Sequence, residues 1–191
     1  MDNDVSAGST TSSPGQLGHL ALGLTLLAFG IGHTEVVDGV TAADAVSIAT
    51  FVGGVTLFVA GLLAFRDRDT FTGTACAGLG AFWFTWGTAE AEVSAQAAGL
   101  FMLLFAVLAL SLTLGAAGGG LLAQGTYALL FVSLLLLAVA RFGDAEGLAK
   151  VGGWFAVAAG AAAWYGATAA LAKWPTAMPR RAAGRGVTAT G

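Results

Sequence analysis

The chain has 191 residues, of which 57% are hydrophobic and only 10% are charged. Soluble domains carry about a quarter charged residues, so this composition excludes an ordinary water-soluble domain and indicates a membrane protein. The net charge is −3, and the sequence has no basic cluster of the kind that binds nucleic acid.

The charged residues fall in short clusters, and the intervals between them are long enough to cross a bilayer. A span needs about 20 predominantly apolar residues. The interval 93–140 has room for two spans, and it divides at the glycine-rich stretch Gly115–Gly120. We therefore predict an all-α, polytopic membrane protein with six transmembrane helices, at 17–33, 43–65, 70–89, 94–114, 121–141 and 151–172.

The two ends of the chain are polar, and we predict a disordered tail at each. The first covers 1–16, the six-helix transmembrane domain covers 17–173, and a disordered basic tail covers 174–191. With six spans, both tails share one side with the loops after the second and fourth helices. That side carries Arg66, Arg68, Lys173, Arg180, Arg181 and Arg185, against Arg141 and Lys150 opposite. Basic residues mark the cytoplasmic side, so both termini are predicted to be cytoplasmic.

Few side chains in the spans carry chemistry. Cys76 is the only cysteine, which excludes an intrachain disulfide and a thiolate metal site; a small buried packing residue is its simpler interpretation. His19 and His33 lie at the two ends of the first helix, where a solvated position at the membrane surface is the simpler interpretation. His33 is the better candidate for handling protons, because Glu35 and Asp38 follow it closely.

The sequence lacks the motifs of common active sites. It has no HExxH, no GxSxG and no glycine-rich phosphate loop followed by lysine. A nucleophile within a span would need a base beside it, and no span supplies one. We therefore predict that the protein is not an enzyme and uses no metal or cofactor.

The third predicted helix has two unlike faces. Asp69 precedes it and is placed to cap its first turn. At 100° per residue, a face of small and hydroxylated residues lies opposite a bulky face: Thr70, Thr74, Ala77, Ala81, Thr85 and Thr88 against Leu79, Trp83 and Trp86. Periodicity alone favours the small face as the wall of a pathway. The alternative is that it packs on another helix, with its hydroxyl groups bonded to backbone carbonyls.

Glycine is abundant, with 29 residues, many of them within the spans. Small residues let helix backbones approach closely in lipid, where no hydrophobic force drives helices together. The helices are therefore predicted to form a tight bundle, which fits a transporter and an inert structural protein equally well.

Three segments resemble the acetate uptake transporter family, which includes bacterial succinate/acetate permeases and fungal acetate and ammonia export proteins. The segment Gly53–Gly87 is similar to the family signature, the first helix contributes SPGQLGHLALGLT, and the sixth contributes GGWFAVAAGAAAWY. The motif positions that the resemblance associates with the pathway are Pro14, Leu17, Gly18, Thr25, Thr70, Phe82, Trp83, Ala163 and Tyr165.

The resemblance also implies where the pathway is narrowest. Permeases of the family form a hydrophobic constriction from a phenylalanine, a tyrosine and a leucine, and the matching positions here are Leu22, Leu79 and Leu130. The tyrosine hydroxyl is therefore missing at position 79. The resemblance turns the Leu79 face towards the pathway and leaves the threonine face for helix packing. It further implies a hexameric bundle in the cell membrane, with one pathway in each protomer.

The resemblance implies a channel-like carrier for small monocarboxylic acids such as acetate, moved with a proton. A pore for a neutral solute such as ammonia, an amide or urea is an alternative, because the polar glutamine, asparagine and tyrosine of the family pattern are lost, the glutamine at Leu57 and the tyrosine at Leu79. A third alternative is a membrane scaffold that transports nothing. The implied partners are a small carboxylic acid, protons, membrane lipid and further copies of the chain.

Overall fold

The computed structural model describes residues 13–89 and 92–174, apart from the side chains of 46–48. Its elements are α1 (Ser13–Thr34), α2 (Ala42–Ile48), a π-helical segment (Ala49–Thr56), α3 (Leu57–Arg66), α4 (Thr70–Ala89), α5 (Ala95–Gly115), α6 (Leu121–Gly143) and α7 (Glu146–Leu171). α2, the π-helical segment and α3 follow one another without a break and act as one long helix. The described residues thus form six long helices, which confirms the predicted all-α bundle.

Five of the six long helices are apolar enough to cross a membrane by length and composition alone: Ser13–Thr34, Ala42–Arg66, Ala95–Gly115, Leu121–Gly143 and Glu146–Leu171. The sixth is α4, whose threonine and glycine residues make it less apolar. It is nonetheless 20 residues long and uncharged, and at 1.5 Å per residue it spans about 30 Å, the thickness of the hydrocarbon core.

The outside of the bundle is apolar. On α5 the exposed side chains include Leu100, Leu104, Val107 and Leu114, each more than half exposed. Their spacing of three, four and seven residues places them on one face of the helix. A soluble protein rarely leaves so large an apolar surface in contact with water, whereas a lipid bilayer favours it. The chain is therefore a multi-pass membrane protein.

The first and last helices begin earlier than predicted. α1 begins at Ser13 instead of 17, because Pro14 has a backbone φ that suits a first helical turn and lacks an amide hydrogen that would need an acceptor. α7 begins at Glu146 instead of 151, and an acidic residue in a first turn is favourable beside the helix dipole. The remainder of the predicted tails, 1–12 and 175–191, lies outside the described residues.

Glycine residues bring α1 and α7 into backbone contact. A Cβ atom on Gly23 would lie 2.8 Å from the Trp164 backbone nitrogen, and one on Gly30 would lie 2.7 Å from the Gly153 carbonyl oxygen. From the other side, a Cβ on Gly160 would lie 2.7 Å from the Leu27 backbone nitrogen. The two helices are therefore too close for any side chain at these positions.

The helix formed by α2, the π-helical segment and α3 packs on α4 in the same way. A Cβ on Gly54 would lie 2.9 Å from Phe84 Cα, and one on Gly61 would lie 2.5 Å from the Ala77 backbone nitrogen. The N-terminus of α4 is capped as predicted, since the Thr72 amide donates to Asp69 Oδ1 at 3.0 Å. Close packing on this helix therefore fixes one side of α4, and the cap fixes where it begins.

We expect Gly23→Ala to destabilise the protein, because the added methyl group forces the α1 and α7 backbones apart. The free energy of unfolding should fall by about 1–3 kcal/mol, the usual cost of overpacking. Thermal unfolding in detergent measures the change. Gly125→Ala on α6 is the matched control, since nothing lies within 4 Å of the added Cβ; it should be neutral or stabilise by about 0.5–1 kcal/mol. Equal stabilities for the two variants would contradict this packing.

Candidate functional site

Three leucine residues from three helices are buried in the centre of the bundle. Leu22 on α1 is 2% exposed, and Leu79 on α4 and Leu130 on α6 are each 1% exposed. All three belong to the same hydrophobic cluster. The positions that the family resemblance assigns to a constriction are thus interior positions of one chain, and they offer only apolar groups. Their role as the narrowest point of a pathway remains a prediction.

Aromatic residues follow Leu22 along α1 and Leu79 along α4. Phe29 lies two turns after Leu22, and its ring centroid is 5.0 Å from that of Trp83 and 6.3 Å from that of Trp86. Both tryptophan residues share the inner face of α4 with Leu79 and are buried. The aromatic residues therefore form an interior column that runs from the turns after Leu22 and Leu79 towards the end of α1.

The column ends at a cavity of about 380 Å³, formed where α1 ends and α7 begins. His33 joins the two, since its ring centroid is 4.2 Å from that of Phe29 and it also lines the cavity. His33 Nδ1 lies 2.9 Å from the Phe29 carbonyl oxygen. At the cavity wall, Lys150 Nζ lies 2.8 Å from Glu35 Oε2 in an exposed ion pair. Charged groups thus occupy the mouth, and the interior beyond His33 is aromatic and aliphatic.

Tyr127 and Cys76 lie at the opposite end of the interior from the cavity. Tyr127 on α6 is 1% exposed, and its ring centroid lies 6.3 Å from that of His19 and 6.0 Å from that of Phe71. Cys76 is buried beside Gly18, whose missing side chain leaves room for the sulfur atom. Cys76 therefore fits its simpler interpretation as a packing residue.

The other motif positions divide between the interior and the surface. Gly18, Thr25, Phe82, Trp83 and Ala163 are buried, and Pro14 is half-buried. Leu17 and Tyr165 are 45% and 42% exposed, and Thr70 is also exposed. Exposure alone does not separate the mouth of a pathway from the lipid-facing surface, so the pathway role of these last three stays a prediction.

The two faces of α4 are oriented as the resemblance implies. Leu79, Trp83 and Trp86 point inward, whereas the threonine face is exposed on the chain except near Ala77, which packs on Gly61. The Thr88 hydroxyl donates to the Phe84 carbonyl at 2.9 Å, as the packing alternative expects. The face that periodicity alone favours as a pathway wall is therefore exposed in the single chain, and which face of α4 lines a pathway stays a prediction.

Sequence reasoning missed Phe29 and the cavity beside it. The signal for Phe29 was present, because it lies seven residues from Leu22 and thus on the same helix face. The cavity depends on a loop and two helix ends that meet only in the folded chain, and its lining residues Glu35 and Lys150 are separated by more than a hundred positions. No local pattern brings these two residues together.

A family model matches most of the chain, and several known proteins are similar to it. The model of the GPR1/FUN34/yaaH family matches residues 5–178. The succinate-acetate/proton symporter SatP of Escherichia coli is 28% identical, over 81% of this chain and 85% of that protein. The glyoxylate pathway regulator of Yarrowia lipolytica is 28% identical, over 84% of this chain and 64% of that protein.

The ammonia transport outward protein 2 of Saccharomyces cerevisiae is 27% identical, over 84% of this chain and 62% of that protein. The chain thus spans less than two thirds of the length of these two fungal relatives.

A solved structure of the bacterial acetate channel SatP superposes with a TM-score of 0.78 at 24% identity, covering 85% of this chain and 93% of that one. This likeness shows a shared fold. The match of the family model, together with the six-helix fold, confirms the resemblance seen in the sequence: the chain belongs to the GPR1/FUN34/yaaH family.

Proposed function

We propose that the protein is a channel-like carrier of the cell membrane that moves small monocarboxylic acids, such as acetate, together with a proton. The observation that carries this proposal is the burial of Leu22, Leu79 and Leu130, from three helices of one chain, beside a column of aromatic residues. We call these three residues the leucine level and infer that they meet at the narrowest point of the pathway. The names of the relatives support it, since they include a succinate-acetate/proton symporter. A transporter needs no catalytic residues, so the proposal also agrees with the lack of active-site motifs.

The leucine level favours the neutral form of an acid over its anion. An ion that leaves water without a compensating partner loses tens of kcal/mol in the Born limit. Protonating a carboxylate with a pKa near 4.3 at pH 7 costs only about 4 kcal/mol, at about 1.36 kcal/mol per pH unit. The protonated acid is therefore the form that crosses this level, and each molecule carries one proton with it.

Uptake of radiolabelled acetate into proteoliposomes tests this proposal. We expect uptake to increase with an inward proton gradient and to be competed by propionate, because both acids cross in neutral form. Liposomes without protein correct for acetic acid that crosses the lipid unaided. Protein-dependent uptake that ignores the proton gradient would contradict the proton-coupled form.

A pore for a neutral solute is the second candidate, and one relative is named as an ammonia transport protein. An apolar constriction admits ammonia as readily as a neutral acid, so the leucine level does not separate the two. Propionate separates them, since it competes with acetate but not with ammonia, an amide or urea. Absence of uptake for every solute in such a panel would instead favour the scaffold.

The orientation and assembly are part of the proposal. We place both termini in the cytoplasm and the cavity beside His33 on the outer side, because basic residues are more frequent on the side of the termini. We also infer a homo-hexamer, for which the exposed threonine face of α4 and the exposed motif residues Leu17 and Tyr165 offer surfaces away from the interior.

Labelling of single introduced cysteines in intact cells tests the orientation. A membrane-impermeant maleimide should label Val37→Cys, in the exposed loop after α1, and should label Arg181→Cys only after the cells are opened. The native Cys76 is buried and should react slowly, which the unmodified protein verifies. Labelling of position 181 in intact cells would reverse the orientation.

We expect Leu79→Tyr to increase the preference for acetate over butyrate. The tyrosine hydroxyl restores a hydrogen-bonding group to the leucine level and narrows it, and one such bond is worth about 1 kcal/mol, a several-fold effect on selectivity. The ratio of the two uptake rates is the measurement. Leu104→Tyr on the exposed face of α5 is the matched control and should leave the ratio unchanged. An unchanged ratio in Leu79→Tyr, with uptake still measurable, would show that position 79 does not contribute to the selectivity between the two acids.

A further inference from the structure

Trp83 is buried, and its indole N–H group makes no hydrogen bond among the described residues. The side chain is 0% exposed, and no group among the described residues accepts a hydrogen bond from its Nε1–H. An indole nitrogen can only donate, and buried polar groups nearly always have a partner. Leaving this donor unpaired costs free energy in the folded state, so its position calls for a partner that is not part of the fold.

The surroundings of Trp83 hold the ring in place without satisfying it. The rings of Phe29 and Phe82 lie edge-on at 5.0 and 4.7 Å. On the third side is the backbone of Gly53, where an added Cβ would lie 2.9 Å from Trp83 Cγ. The same added Cβ would lie 3.0 Å from the Thr25 hydroxyl oxygen. Thr25 and Trp83 therefore meet at Gly53, in the π-helical segment.

Thr25 complements Trp83 in its hydrogen bonding. Its hydroxyl is fully buried and donates to the Ala21 carbonyl at 2.8 Å. Because that bond uses the single hydrogen of the hydroxyl, the oxygen is left as an acceptor. The interior thus presents one donor, Trp83 Nε1, and one acceptor, Thr25 Oγ1, in the same neighbourhood.

The two residues lie directly next to the leucine level. Thr25 follows Leu22 by three residues on α1, and Trp83 follows Leu79 by four residues on α4, so each is about one turn further towards His33. A solute that passes between the cavity and the three leucine residues meets this donor and this acceptor. Trp83 belongs to the central hydrophobic cluster, and Thr25 is fully buried.

We propose that Trp83 and Thr25 form the binding site for the protonated carboxyl group of the transported acid, an inference that rests on the transport function proposed above. Trp83 Nε1–H donates to the carbonyl oxygen of the acid, and Thr25 Oγ1 accepts from its O–H group. A carboxylate has no hydrogen to donate, so it leaves Thr25 unmatched. The pair therefore binds the protonated acid in preference to its anion through hydrogen bonds. The leucine residues favour the protonated acid only because burying a charge costs free energy.

Three variants in the proteoliposome assay test the site. Replacing Trp83 by benzothienylalanine removes the N–H and keeps the shape of the ring, and Thr25→Val removes the hydroxyl and keeps the branched shape. Each should raise the acetate concentration for half-maximal uptake about fivefold, the effect of one lost hydrogen bond. Thr25→Ser keeps the acceptor and should stay within about twofold of the unmodified protein. Trp164→Phe, at a half-exposed position on α7, is the control for tryptophan replacement.

Thermal unfolding separates binding from a structural role. Removing an unpaired buried donor relieves a cost, so the benzothienylalanine variant should unfold at the same or a higher temperature while it binds acetate more weakly. A lower unfolding temperature would show that the N–H has a partner within the fold and would overturn the proposal. Unchanged half-saturation in both the benzothienylalanine and Thr25→Val variants would also overturn it. Absence of acetate uptake by the unmodified protein would instead contradict the proposed function itself.

Discussion

The structure depends on the contact between the backbones of α1 and α7. Lipid gives helices no hydrophobic reason to associate, so their packing has to come from close van der Waals contact. Gly23, Gly30 and Gly160 provide it, because a side chain at any of them would collide with the facing backbone. α1 also contacts α2, the π-helical segment, α3 and α4. It therefore joins α7 to the helix formed by α2, the π-helical segment and α3.

The position of α1 decides what the interior contains. The glycine face of α1 packs on α7, and its other face carries Leu22, Thr25 and Phe29. The facing side of α4 carries Leu79, Trp83 and Trp86. Hydroxyl groups in this interior are bonded to backbone carbonyls, as in the bonds of Thr126 to Leu122 and of Ser133 to Gly152 across the α6–α7 contact. Because these groups are satisfied within the fold, the unused N–H of Trp83 is distinctive.

The sequence predicts the helices well because charge and span length are local properties. The uncharged intervals placed four of the six helices within about two residues of their ends, and Asp69 marked the start of α4. The first turns of α1 and α7 were missed because polar or charged residues there look like loop, although a helix end in water accepts them. The π-helical segment had no local signal beyond Gly53–Gly54, since its widened turn is defined by the contacts of both glycine residues with other helices.

Less of the interior of the site could be predicted from the sequence. The orientation of α4 came from the family resemblance and not from periodicity, because threonine residues that bond to their own helix are as suited to the surface as to a pathway. The contact between Thr25, Gly53 and Trp83 joins three helical segments, and the cavity at His33 joins Glu35 to Lys150. Such contacts between distant residues are set by helix packing, which one sequence does not specify residue by residue.

In the proposed pathway, the two levels of the interior exclude different solutes. As the proposed constriction, Leu22, Leu79 and Leu130 exclude ions, because they replace none of the hydrogen bonds that an ion loses on leaving water. They do not distinguish a neutral acid from ammonia or another small neutral molecule, since all of these avoid the cost of a buried charge. In the site proposed for Trp83 and Thr25, a fixed donor beside a fixed acceptor distinguishes an acid from ammonia, because a solute satisfies both residues when one of its carbon atoms carries a carbonyl oxygen and a hydrogen-bond donor. In this proposal, selection against charge and selection for a carbonyl group with a donor beside it are properties of neighbouring turns of α1 and α4.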